Sequence, residues 1–102
     1  MKVKDKRYKH QPKSIAVVTG GFDPIHSGHI QYLKSAAELA DYLIVGVNSD
    51  EWLTRKKGKP FMPLEEREAL LKELYVVDEV ITFDDSDNTA CHAIEKVKHL
   101  YK

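Results

Sequence analysis

Cysteine is nearly missing from this chain. Cys91 stands alone, so no disulfide can form within the chain, which fits a reducing compartment. No apolar run approaches the ~18 residues a bilayer span requires, and no apolar signal core follows the basic start. The expectation is a cytoplasmic protein with no membrane partner. An excess of one charge sign is also missing. Lys plus Arg number 16 and Asp plus Glu number 16, a balance that argues against a general nucleic-acid binder. The exception is local: Lys2, Lys4, Lys6, Arg7, Lys9 and Lys13 face only Asp5. Residues 1–13 read as a solvated basic tail, with phosphate or nucleic-acid contact as the alternative. At 102 residues the chain is long enough for one domain and not two. Glycine is scarce as well, yet three of the five glycines fall within Gly20–His29, written GGFDPIHSGH.

What surrounds that stretch has a simple rhythm. Residues 14–19 (SIAVVT) form a β-branched run, apolar on both faces, which predicts a buried strand ending at Gly20-Gly21. Ile30, Leu33, Ala37 and Ala40 recur at helical spacing and predict a helix over 29–40, starting at Ser27-Gly28-His29. Residues 41–47 (DYLIVGV) predict a second buried strand. Asn48-Ser49-Asp50 caps a short helix through Leu53, and residues 55–60 (RKKGKP) read as a basic loop. Pro63 and two acids open a third helix, to about Leu74. Residues 79–83 predict a third strand. Asp84–Asn88 read as a turn and cap, and a last helix begins near Thr89 and is still running at Tyr101-Lys102. The order β-α-β-α-α-β-α predicts an α/β fold with a doubly wound parallel sheet, Rossmann-like.

In such a fold the turn after the first strand is where an anion binds. Glycines let backbone approach a ligand, and the following helix points its free N–H groups and positive dipole end at the same place. His26 and His29 add donors at the crevice beyond the carboxyl ends of the strands. Neither the GxGxxG spacing nor a GxxxxGK[ST] loop is present.

The stretch resembles the signature of the HxGH nucleotidyltransferases, here His26-Ser27-Gly28-His29 preceded by Gly21-Phe22-Asp23. The nearer likeness is to the cytidylyltransferase-like branch, which includes glycerol-3-phosphate cytidylyltransferase and the adenylyltransferase domain of ADP-heptose synthesis. It continues through residues 41–51, Lys56, Pro63–Arg67 and Val77–Ile81, covering residues 14 to about 83 in one register. The resemblance implies transfer of a nucleoside monophosphate from CTP or ATP to a phosphorylated small molecule, by direct attack on the α-phosphorus with release of pyrophosphate. It implies that His26 and His29 hold the triphosphate and that Lys56 reaches it. It also implies that Gly20, Gly21, Phe22, Asp23 and Gly28 line the phosphate site, with Lys59 and Arg67 assisting. Mg²⁺ is the implied cofactor, with Asp23 as a candidate ligand.

Simpler roles compete for several of these residues. Asp23 suits a turn before Pro24, and Lys56 sits in a basic run of the kind that is usually solvated. Arg55 is a weaker candidate than Lys56, and Arg67 suits pairing with first-turn acids of its own helix. Trp52 reads as an anchor for its short helix ahead of a base-stacking ring. Asp84, Asp85 and Asp87 lack the glycine and distal Glu of a calcium loop and read as caps. His10, His92 and His99 read as surface residues. The apolar run Leu74–Val77 suits a contribution to a homodimer.

The family pattern continues past Lys102 with a fourth strand, on the other edge of the first, and with a nucleotide-holding loop. Residues 14–102 are therefore expected to be the amino-terminal portion of a nucleotidyltransferase domain, binding nucleotide weakly on their own. Two other readings remain open: a nucleotide-binding or regulatory module that has lost the chemistry, and an adenylyltransferase of the coenzyme A or NAD type.

Overall fold

A computed structural model describes residues 12–101; residues 1–11, which hold most of the basic tail and His10, and Lys102 lie outside the described residues. The order is β1 (Ile15–Gly20), α1 (Ser27–Glu38), β2 (Tyr42–Val47), α2 (Asp50–Lys57), α3 (Leu64–Lys72), β3 (Glu79–Thr82) and α4 (Cys91–Leu100). The strands form one parallel sheet in the order β1-β2-β3. Gly20 pairs with Val47, and Val47 with Thr82, so all three strands end level. Every turn that follows a strand therefore opens at the same end of the sheet.

Helices cover both faces, as the alternation predicted. Leu43, Val45 and Val47 point to one face, against Leu33 and Ala36 of α1 and Leu71 of α3. Ile44 and Ile81 point to the other, against Val97 of α4. The central strand is apolar on both sides because it is buried on both sides. β1 departs from expectation: all six of its residues are only half-buried. Its apolar residues are as branched as those of β2, but among the described residues it pairs only with β2 and forms an edge. At the opposite end of the sheet, Tyr42 and Tyr101 both donate to one Glu79 carboxylate oxygen and pin the end of α4 to β2 and β3.

Three other expectations change. α2 runs through Lys57, so Arg55, Lys56 and Lys57 form its last turn and not a loop. Basic residues suit the negative end of a helix, and Gly58 in the left-handed conformation closes it. α4 starts at Cys91, after Asp87 has taken the Thr89 N–H and hydroxyl, and it ends at Leu100. The Leu74–Val77 run turns inward: Leu74 and Val76 pack on the core and Val77 is buried, leaving Tyr75 as its exposed residue. No helix among the described residues is long and apolar enough to cross a membrane.

Candidate functional site

The chain leaves β1 at Gly20 and turns through residues 21–26 into α1. Phe22 stands at φ 51°, a left-handed conformation rare for a residue with a side chain. Such a conformation costs on the order of 1 kcal/mol. The ring is 4% exposed in the main core, and burying it stabilises the turn by about 2 kcal/mol, enough to hold the strain. Gly21 is needed for close approach: a Cβ there would stand 2.9 Å from Leu53 Cδ2.

His26 is the N-cap of α1. Its Nδ1 accepts the Gly28 N–H at 3.1 Å, while its own N–H donates to His29 Nδ1 at 3.1 Å. This is a capping box built from two imidazoles in place of the usual hydroxyl and carboxamide. The rings stack with centroids 3.9 Å apart and planes 29° apart. His29 also meets the edge of Phe22, at 5.1 Å. Gly28 is required by His26, since a Cβ there would stand 2.9 Å from the His26 ring. Because each Nδ1 accepts a backbone N–H, each neutral ring must carry its proton on Nε2. The cap thereby fixes the tautomer and leaves two Nε2–H donors beside the start of a helix.

Partial burial, with the neighbouring His26 adding to it, holds the His29 pKa below its ordinary 6.5. The unfolded chain therefore takes up this proton at a higher pH than the folded one. The His29 contribution to stability is complete above 6.5 and falls as pH drops from there to the folded-state value, below which it is flat. Unfolding titrations from neutral to about pH 5 should show a decline that His29→Asn removes. A His29→Asn protein with the same slope would show that the decline arises elsewhere.

Asp23 is placed as a latch. Its Oδ1 accepts the Met62 N–H and its Oδ2 the Phe61 N–H, both at 2.6 Å, and Lys57 Nζ lies 2.7 Å from Oδ2. Burial alone would raise its pKa, but the Lys57 ammonium and the two N–H groups outweigh that and hold it below the ordinary carboxylate value. The expectation of a metal ligand meets a physical obstacle here: both oxygens are engaged and the side chain is 1% exposed. Among the described residues no group of three or more His, Cys, Asp and Glu could hold a metal ion. These side chains do not fit a protein-built Mg²⁺ shell, and no step below runs through one.

Arg67, expected near phosphate, points inward and is 1% exposed. Its Nε donates to Met62 O at 3.0 Å, Nη1 to Gly21 O at 2.9 Å and Asn48 O at 2.6 Å, and Nη2 to Asp50 Oδ1 at 2.6 Å. It pairs with Asp50, not with the acids of its own first turn. One guanidinium ties the loops after β1, β2 and α2 behind the turn, a use of the planar fork that Lys cannot copy.

The three lysines separate. Lys57, which the sequence reading passed over, reaches the turn: its ammonium also donates to Asp23 O at 2.8 Å. Lys56 lies over the Trp52 ring at 5.2 Å, and Lys59 is exposed past Gly58. Helical spacing carries the missing signal. Once α2 runs to Gly58, Lys57 falls four residues after buried Leu53, on the side facing Gly21, and Lys56 four after Trp52. Arg55 donates to Asp85 O and Asn88 Oδ1. Asp85 was expected to cap α4. It is instead buried, accepting from Asn48 Nδ2, Ser49 N and Ser49 Oγ at 3.0, 2.8 and 2.7 Å, and so fixes the start of α2.

Comparison with known proteins shows the family. A family model described as "Cytidylyltransferase-like" matches residues 17–101. "Bifunctional protein HldE" of Sulfurimonas denitrificans is 42% identical over 95 residues, covering 91% of this chain and 20% of that protein. The protein of the same name from Nitratiruptor is 47% identical over 75 residues, 72% of this chain and 16% of that one. The chain spans about a fifth of the length of these curated relatives. Among solved structures, a lipopolysaccharide core biosynthesis protein from Thermoplasma volcanium superposes with TM-score 0.75 at 36% identity, over 82% of this chain and 67% of the other.

Proposed function

The chain belongs to the cytidylyltransferase-like family, and from that premise we propose that its β1–α1 turn is the phosphate grip of a nucleotidyl-transfer site. The substrate is a nucleoside triphosphate, ATP or CTP, and the acceptor a sugar phosphate. The acceptor's phosphate oxygen forms a bond to the α-phosphorus. The bond from that phosphorus to the bridging oxygen breaks, and pyrophosphate leaves with the electron pair.

The reciprocal histidine cap carries this reading. His26 and His29 each keep an Nε2–H free of the cap, beside a helix start whose dipole already favours anions. Donors held in place before the reaction need no reorganisation as charge shifts onto the bridging and non-bridging oxygens. Lys56 adds compact positive charge at the rim, and Gly21 lets α2 pack closely against the turn. Asp23 and Arg67 act behind the turn and set its shape. The resemblance of residues 14 to about 83 to the adenylyltransferase domain of ADP-heptose synthesis supports a sugar phosphate as acceptor.

Thermal melts of the full-length protein test this. A triphosphate at a hundredfold excess over its Kd stabilises the fold by about 2.7 kcal/mol, and the cognate base should give a larger shift than the other. Pyrophosphate release should then require a sugar phosphate. If neither ATP nor CTP moves the melt, the reading fails.

A further inference from the structure

We propose that Trp52 is a positioning residue, whose ring is the platform that holds Lys56 beside the phosphate turn. This rests on reading that turn as a triphosphate site. Trp52 is the chain's single tryptophan. Two observations place its ring between the lysine and the turn. The ring edge borders the turn, since a Cβ built on Gly21 would lie 3.6 Å from Trp52 Cζ3. The ring face lies under Lys56, whose ammonium stands 5.2 Å from the centroid. The base of the platform is fixed: Ser49 Oγ accepts the Trp52 backbone N–H at 3.0 Å, and Asp85 grips Ser49.

Two consecutive lysines thus leave the end of α2 in different ways. Lys57 is locked by an ion pair to a carboxylate with 1% exposed side chain, and releasing it would strand that charge. Lys56 rests on an uncharged ring. A cation–π contact at an exposed site is weak, roughly 0.5–1 kcal/mol, and leaves the ammonium its full charge and most of its hydration. A polyphosphate at Gly21 can draw Lys56 off the ring and leave no buried ion behind. Lys56 is therefore the transferable charge, and Trp52 keeps it oriented until the anion arrives. A leucine at this position would stay apolar but offer no ring face, and the lysine would wander.

The tryptophan reports on its own role. Inorganic triphosphate does not absorb where tryptophan does, so it is the probe, added to the full-length protein while Trp52 emission is followed and binding is measured in parallel by calorimetry. The wild type should show a saturable emission change as the ammonium leaves the ring, and Lys56→Met should abolish it with its melting temperature unchanged. Because the ring contact is broken when the anion binds, by calorimetry Trp52→Leu should tighten binding about threefold, Trp52→Phe should reverse part of that change, and adding Trp52→Leu to Lys56→Met should have no further effect. Equal emission changes in wild type and Lys56→Met, or equal affinities in wild type and Trp52→Leu, overturn the proposal while leaving the phosphate site standing. No calorimetric binding to the wild type overturns both.

Discussion

Arg67→Met is expected to lower the unfolding free energy by about 3 kcal/mol, a large part of the ~5–15 kcal/mol available to a domain. The size follows from what the guanidinium leaves behind. The carbonyls of Asn48 and Gly21 accept from a buried cation at 2.6 and 2.9 Å, and methionine fills the volume but offers neither a donor. Hydrogen bonds to charged groups contribute roughly 1.5–3 kcal/mol each. The Asp50 pair adds little, since that carboxylate is 40% exposed and water replaces the arginine. Arg67→Lys should fall between, because one ammonium cannot span three loops. Chemical denaturation of the three proteins decides it. A loss below about 1 kcal/mol for Arg67→Met would mean that the three loops hold together without it.

The second large effect is on turnover. His29→Asn should reduce kcat of the full-length protein by about 10²–10³, the cost of removing one preorganised donor from a developing oxyanion. Asparagine is chosen because its Oδ1 can accept the His26 N–H where Nδ1 does now, so α1 keeps its cap. His29→Ala removes both functions and should lose stability as well, by about 1 kcal/mol. The contrast separates folding from chemistry: equal turnover in His29→Asn and the wild type would remove His29 from the phosphate-binding set.

Much of the fold was legible from local pattern. The strands after Ser14 and Asp41, the helix starting at Ser27 and the parallel sheet all follow from β-branched runs, helical spacing and the alternation of elements. The histidines stood out because glycine and ring chemistry coincide at one bend. The residues whose roles changed share a physical reason: their partners are distant in sequence. Asp85 finds Ser49, Asp23 finds Phe61 and Met62, and Arg67 finds the backbone of three loops. Carbonyl and amide partners carry no side-chain signature, so no spacing rule announces them. The choice between Lys56 and Lys57 turned on where α2 stops, and a one-residue step on a helix turns a side chain by about 100°. β1 reads as buried from its composition because edge and centre strands draw on the same branched residues; the neighbour count that distinguishes them belongs to topology.

The mutual capping of His26 and His29 also sets what this turn cannot do. An imidazole serves as a general base only through a nitrogen with a free lone pair, and in both rings that nitrogen already holds a backbone N–H. Taking a proton would unfasten the first turn of α1. If this turn is the phosphate grip proposed above, the pair can donate and stabilise but not abstract, and it suits a nucleophile that arrives already deprotonated. An acceptor phosphate meets that condition near neutral pH, and an alcohol does not. On that reading the helix cap itself favours an acceptor that is already ionised, before any pocket has read its shape.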